Sequence, residues 1–212
     1  MDALLLQLAD SAFPTGGFAH SGGLEAAFQQ GEVDADNIAV WLSQALRQSG
    51  RALLPFAAEA FDDPDTLDAL DEHCGAFLNN AVARRASLLQ GQAHLAACAA
   101  AVDDERLSAW ALAPHHFAPA FGAAAAVMNL KREDALRLFL FSSLRGQVSA
   151  AVRLGIVGPL AAQRLQAGLA GELEDVLRAC APLRAEAAAQ TAPLHDLLQS
   201  THDRLYSRLF QS

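Results

Sequence analysis

A chain of 212 residues, 52% of them hydrophobic, is long enough to bury one sizeable core and too apolar to be disordered as a whole. Its formal net charge of −9 excludes a nucleic-acid binder, which needs a basic face. Cys74, Cys98 and Cys180 are scattered, without a C-x-x-C pair, and read as reduced thiols of a cytoplasmic protein rather than as a disulfide framework.

The charge is uneven. Residues 1–80 hold 13 acids against only Arg47 and Arg51, whereas residues 81–212 hold 11 acids and 13 bases. Such a polarised molecule can orient towards charged partners. MDALLLQLAD carries an acid where a secretory signal has basic residues, and no apolar run reaches 18 residues, so neither export nor a membrane span is expected.

Taken in chain order, the periodicity is helical nearly throughout. Leu4, Leu5 and Leu8 form a short apolar face, and residues 10–22 then break the pattern with Pro14, Gly16, Gly17 and Gly22. A helix restarts near Gly23 with Leu24, Ala27 and Phe28 on one side. Asp34 is the N-cap candidate for the next, where Ile38, Trp41, Leu42 and Ala45 fall at three-and-four spacing. Helices follow over 51–61 and 64–82, separated by Asp63-Pro64-Asp65, then over Ala86 to Ala101 and 105–112. Pro114 and Pro119 bracket a turn before a helix from Ala123 to Leu130. The clearest helix runs from Glu133 to Leu154, with Leu136, Phe139, Leu140, Ser143, Leu144 and Val148 facing inward. Gly155, Gly158 and Pro159 interrupt it, a helix continues through Leu169, and 172–180 and 193–210 complete the set. Strand signals are nearly absent. The pattern predicts an all-α, irregular single-domain bundle of about ten helices over residues 1–212, with 193–212 a C-terminal helix open to ordering by a partner.

The most distinctive stretch is SAFPTGGFAHSGGLE, Ser11 to Glu25. Gly17 and Gly22 have the spacing of a phosphate-binding loop, but Gly23 and Leu24 stand where lysine and Ser/Thr are needed, so nucleotide binding loses its charge partners. A nucleophile elbow on Ser21, served by His195 and Asp196, lacks the parallel strand that would lead into it, which leaves a serine hydrolase as a remote alternative. The bland reading is a tight loop between helices, with Glu25 in the next helix's first turn, where an acid is favourable. No two histidines stand in an H-E-x-x-H or i,i+4 arrangement. His73-Cys74 diverge on a helix, and His115-His116 read more readily as turn histidines than as ligands. Arg84-Arg85 and the pair Arg204/Arg208 are basic spots. Four apart on the last helix, Arg204 and Arg208 share a face beside Leu205 and Leu209, a shape suited to a partner groove as much as to a solvated lid.

Together these segments resemble the urease accessory protein F (UreF) family. SAFPTGGFAHSGGLE is similar to its glycine-rich signature, ARRASLLQGQA (Ala83 to Ala93) to its central helix, and HHFAPAFG (His115 to Gly122) to its His-x-x-Pro-x-x-Gly turn. SAAVRLGIVGP (Ser149 to Pro159) is similar to its late helix and break, and RLFQS (Arg208 to Ser212) to its terminus. The resemblance implies an all-α, dimeric, non-enzymatic protein with no cofactor of its own. It would bind a UreD/UreH-type protein and the GTPase UreG, gating that partner's GTP hydrolysis so that nickel, handled only transiently, reaches apo-urease. It places Glu25 on the family's characteristic acid, with His20 and Ser21 just before it. It places Arg204, Tyr206 and Arg208 on the C-terminal segment that relatives use near partner surfaces. These six form the expected partner-binding set, with no catalytic and no metal residue. A generic helical adaptor is the second reading.

Overall fold

A computed structural model describes residues 3–212. Among the described residues there are ten α-helices of seven residues or more, two of six, short 3₁₀ and π turns, and no strand. The helices are α1 (Ala3–Ala9), α2 (Leu24–Gln29), α3 (Ile38–Gln48), α4 (Leu54–Asp62), α5 (Leu67–Phe77) and α6 (Ala81–Ala101). They continue as α7 (Glu105–Trp110), α8 (Phe117–Val127), α9 (Arg132–Arg153), α10 (Pro159–Gly168), α11 (Ala170–Cys180) and α12 (Pro193–Ser200). The all-α irregular bundle read from the sequence is the observed fold. No helix is long and apolar enough to cross a membrane among the described residues.

The bundle is built around α8. Ala118 to Ala125 and Val127 are buried but for Ala126, so this helix meets neighbours on nearly every side. Its small residues permit that. A Cβ at Gly122 would lie 2.0 Å from the carbonyl oxygen of Ala57, so α4 and α8 touch backbone to backbone there. Phe117 and Phe121 pack on Phe139 of α9 with ring centroids 5.7 and 5.4 Å apart, and Phe56 fills the α4 side without exposure.

Helix boundaries follow capping chemistry. Asn80 accepts from the amides of Val82 and Ala83 at 3.0 and 3.4 Å, so the predicted 64–82 helix divides and α6 begins at Ala81 instead of Ala86. Pro119 lies in the first turn of α8, where no intrahelical donor is needed, so the helix starts at Phe117 and not at Ala123. Asp34 holds the turn ahead of α3 through the amides of Asp36 and Asn37, and the helix proper starts at Ile38. A π turn, Ser49–Leu53, joins α3 to α4. Pro55 has no N–H to offer the carbonyl of Arg51, and that oxygen accepts instead from Ala189 at 3.1 Å.

The largest departure is the last segment. The predicted 193–210 helix stops at Ser200; a 3₁₀ turn, His202–Arg204, follows, and residues 205–212 run irregularly back across α2. Arg204 and Arg208 therefore do not share a helical face.

Gly122→Ala should destabilise the chain by about 1–3 kcal/mol, because the added methyl has only backbone to displace. Thermal unfolding checks this: a fall in Tm of several degrees is expected, and an unchanged Tm would refute the close α4–α8 contact.

Candidate partner-binding surface

Glu25 lies in the first turn of α2, wholly buried, with every other contact built around it. Its Oε1 accepts from the backbone amide of Leu209 at 2.7 Å and from Gln29 at 3.4 Å. Its Oε2 accepts from Phe210 N at 3.2 Å and pairs with His202 Nε2 at 3.0 Å. Both oxygens are thus engaged with residues 202–210. Ser21 continues the clasp: its amide and hydroxyl donate to the Ser212 carbonyl at 2.6 and 2.9 Å, while Gln211 N donates to Ala19 O at 2.7 Å. His20 Nδ1 meets the Ser212 hydroxyl at 2.7 Å.

The glycine loop makes this approach possible. Gly22 and Gly23 have φ of 58° and 91°, the left-handed region that glycine enters freely. Space is also tight: a Cβ on Gly22 would lie 2.3 Å from Gln147 Nε2 and displace that side chain's end, and one on Gly23 would lie 3.0 Å from Gln199 Cβ and 3.3 Å from its backbone. Gln147 in turn donates to Ser21 O at 2.8 Å and accepts from Trp41 Nε1 at 3.1 Å. Trp41 stacks on His195 of α12 with ring centroids 3.6 Å apart.

Residues 189–212 therefore form a strap fixed at several points. Gln48 Oε1 accepts from the amides of Thr191 and Ala192 at 2.6 and 2.9 Å. Arg153 of α9 sits between two rings, 3.8 Å above Phe18 and 4.1 Å from Phe210, and also donates to the Phe18 carbonyl. Arg85 grips Asp203 through two bonds of 2.7 and 3.1 Å, with Arg208 3.3 Å from the same carboxylate. Beneath the strap is a cavity of about 570 Å³, bordered by Phe13, Gln90, His94, Ser143 and Phe210.

The structure brings the six expected residues together from two distant segments, but sorts them into two kinds. Ser21 and Glu25 are fully buried, and His20 is partly so; their side chains hold the chain's own strap and are not presented to a partner in this arrangement. Arg204, Tyr206 and Arg208 are exposed on the strap's outer side, Tyr206 completely. Leu209 follows Arg208 in the chain, and Arg153 reaches both its carbonyl and the Phe18 ring; both apolar side chains are more than 60% exposed, so apolar and guanidinium groups share this region. Sequence reasoning missed His202, Gln147, Arg153 and Gln48, none of which carries a local signal of its role. The hydrolase arrangement is not assembled: Ser21 Oγ donates to a carbonyl, His20 bonds Ser212, and His195 faces Trp41 and Gln44. Among the described residues no three of His, Cys, Asp and Glu converge as metal ligands.

Fold and clasp define an all-helical protein whose terminal strap and glycine loop make one continuous surface. Comparison with known proteins says which. The family model for UreF matches residues 33–170. Urease accessory protein F of Arabidopsis thaliana is 38% identical over 97% of this chain and 90% of its own length, and that of Oryza sativa subsp. indica 38% identical over 96% and 82%. Urease accessory protein UreF of Cereibacter sphaeroides is 34% identical over 98% and 97%. The chain belongs to the urease accessory protein F family.

Burial holds His20 and His195, both strap contacts, and His94 in the core down to pKa values of about 4 from the usual 6.5. A depressed histidine pKa means that the unfolded chain binds more protons, so stability is full above pH 6.5 and falls as pH drops from 6.5 towards 4. Each buried ring should account for about 2 kcal/mol lost by pH 5, His20 for less because solvent reaches it. Urea unfolding at pH 7 and pH 5 checks this; an equal or higher midpoint at pH 5 would contradict it.

Proposed function

We propose that this chain is a urease maturation scaffold. It binds a UreD/UreH-type protein and the GTPase UreG, works in the cytoplasm as a homodimer, and gates its partner's GTP hydrolysis so that nickel is delivered to apo-urease. It performs no chemistry of its own and needs no resident cofactor; nickel is the cargo of the assembly. One observation carries the reading: in a chain of this family, two segments nearly 180 residues apart are locked by Glu25 into one exposed surface. A surface that mixes Tyr206 and Phe18 with Arg204 and Arg208 has the residue types that dominate interface energetics. Within this reading Glu25, Ser21 and His20 serve the interface by holding the strap, and the exposed set makes the contacts.

Co-expression with UreD/UreH-type and UreG-type proteins and recovery on a tag tests it. The wild-type chain should retain both. Tyr206→Ala and Arg204→Ala should each weaken retention by about 1–2 kcal/mol, roughly five- to thirtyfold, without a change in Tm. Glu25→Ala should weaken it while also freeing the strap. Retention of neither partner by a folded wild-type chain would leave a helical adaptor outside urease maturation.

A further inference from the structure

The outer edge of the strap carries a charge opposite to that of the whole chain, whose formal net charge is −9. Arg85 and Arg208 share the single carboxylate of Asp203, at 2.7 and 3.3 Å. Arg204, next in the chain to Asp203, is exposed and has no carboxylate partner among the described residues. Arg153 lies against Phe18 and Phe210, reaches the Leu209 carbonyl, and likewise meets no carboxylate among the described residues. Four guanidinium groups thus stand against one carboxylate, a local net of +3. Glu25 is buried with both oxygens taken, and Asp196, the other acid of residues 189–212, is half-buried beside Asn80. Exposed Arg–Asp pairs add little to stability, and like charges collected at one edge subtract from it. The fold of the isolated chain therefore gives no reason for the surplus.

We propose that the partner seated on this surface presents an acidic segment, with several carboxylates beside an apolar side chain. The inference rests on the scaffold reading, because it names the chemistry of the partner which that reading requires. Charge complementarity carries it. A guanidinium is weakly hydrated and matches a carboxylate through two parallel N–H bonds, so Arg204, Arg208 and Arg85 are suited to acids in particular. Leu209 follows Arg208 and Phe18 covers Arg153; both are more than 60% exposed and give the apolar side chain a seat beside the cations. Tyr206, wholly exposed, adds a ring with a polar tip. Nucleic acid fits less well, because a long polyanion running off this edge meets a molecule of its own sign. A second copy bound through its acid-rich first 80 residues would make a head-to-tail contact. Such contacts yield rings or filaments and not the closed pair of the scaffold reading.

The test is the affinity of the purified full chain for the UreD/UreH-type and UreG-type proteins, measured across salt concentration. For at least one of them Kd should rise roughly tenfold or more from about 0.1 to 1 M salt, where the screening length contracts from about 10 to 3 Å. Arg204→Gln and Arg208→Gln should each weaken that binding about fivefold or more at low salt and flatten its salt dependence. Asp203→Asn frees two guanidinium groups from their internal partner and should tighten binding about two- to fivefold. Asp103→Asn removes the same charge beyond the far end of α6, about 24 Å along the axis from Arg85, and should change nothing. Affinity indifferent to salt and to Arg204→Gln, or weaker binding in Asp203→Asn, would overturn the acidic partner and leave the scaffold reading intact. Binding of neither protein at low salt would sink the scaffold reading and this inference with it. A short single-stranded RNA held more tightly than either protein would make the edge a nucleic-acid site and overturn the proposal. Should Asp203→Asn loosen the strap, read from hydrogen exchange at the Leu209 amide, the salt dependence and Arg204→Gln decide.

Discussion

Everything distinctive about this molecule hangs on one buried carboxyl group. Glu25 sits at the start of a six-residue helix and spends both oxygens on residues 202, 209 and 210. An acid with no exposure is acceptable only where its acceptor sites are filled, and here two backbone amides and an imidazole fill them. The reverse also holds: without Glu25, buried donors of the strap would be left unpaired, at about 1–3 kcal/mol each. Around this interaction the other anchors of the strap are arranged, among them Arg153 against Phe18 and Phe210 and Arg85 on Asp203.

The helical frame prepares both ends of that contact. Pro55 interrupts the hydrogen-bond ladder between α3 and α4, and the freed Arg51 carbonyl and the Gln48 amide take hold of residues 189–192. From there the strap can only cross Trp41 and descend on α2. Small residues in α8 let α4 come within backbone contact, keeping the frame compact enough for a chain of this alanine content. The frame carries a strap on which Tyr206, Arg204 and Arg208 are exposed, in a chain of the urease accessory protein F family.

The parts of the fold legible in the sequence are those governed by local rules. Helix α9 shows its periodicity plainly, and Asp63-Pro64-Asp65 marks a break that is there. What was misread also has local causes: a capping asparagine at position 80, and a proline at 119 that belongs to a first turn instead of a linker. The start of the strap was legible as the helix from Pro193, but its course beyond Ser200 was not. Its helical spacing continues past Ser200, yet Glu25 captures amides that a helix would use internally, so the tertiary contact overrides the local pattern. Glu25 was singled out through family resemblance, but its partner His202 stands 177 residues away with nothing in the intervening sequence to join them.

Hydrogen exchange of the isolated chain, followed at the amides of Ser21, Leu209, Phe210 and Gln211, tests the central role of Glu25 most directly. In the wild-type chain these four should be protected together, exchanging at least about a hundredfold slower than in an unstructured peptide. In Glu25→Ala that protection should vanish as one unit while the α8 and α9 amides keep theirs. Free exchange at residues 209–211 in the wild-type chain, or protection unchanged by the substitution, would show that the strap is held by something other than Glu25.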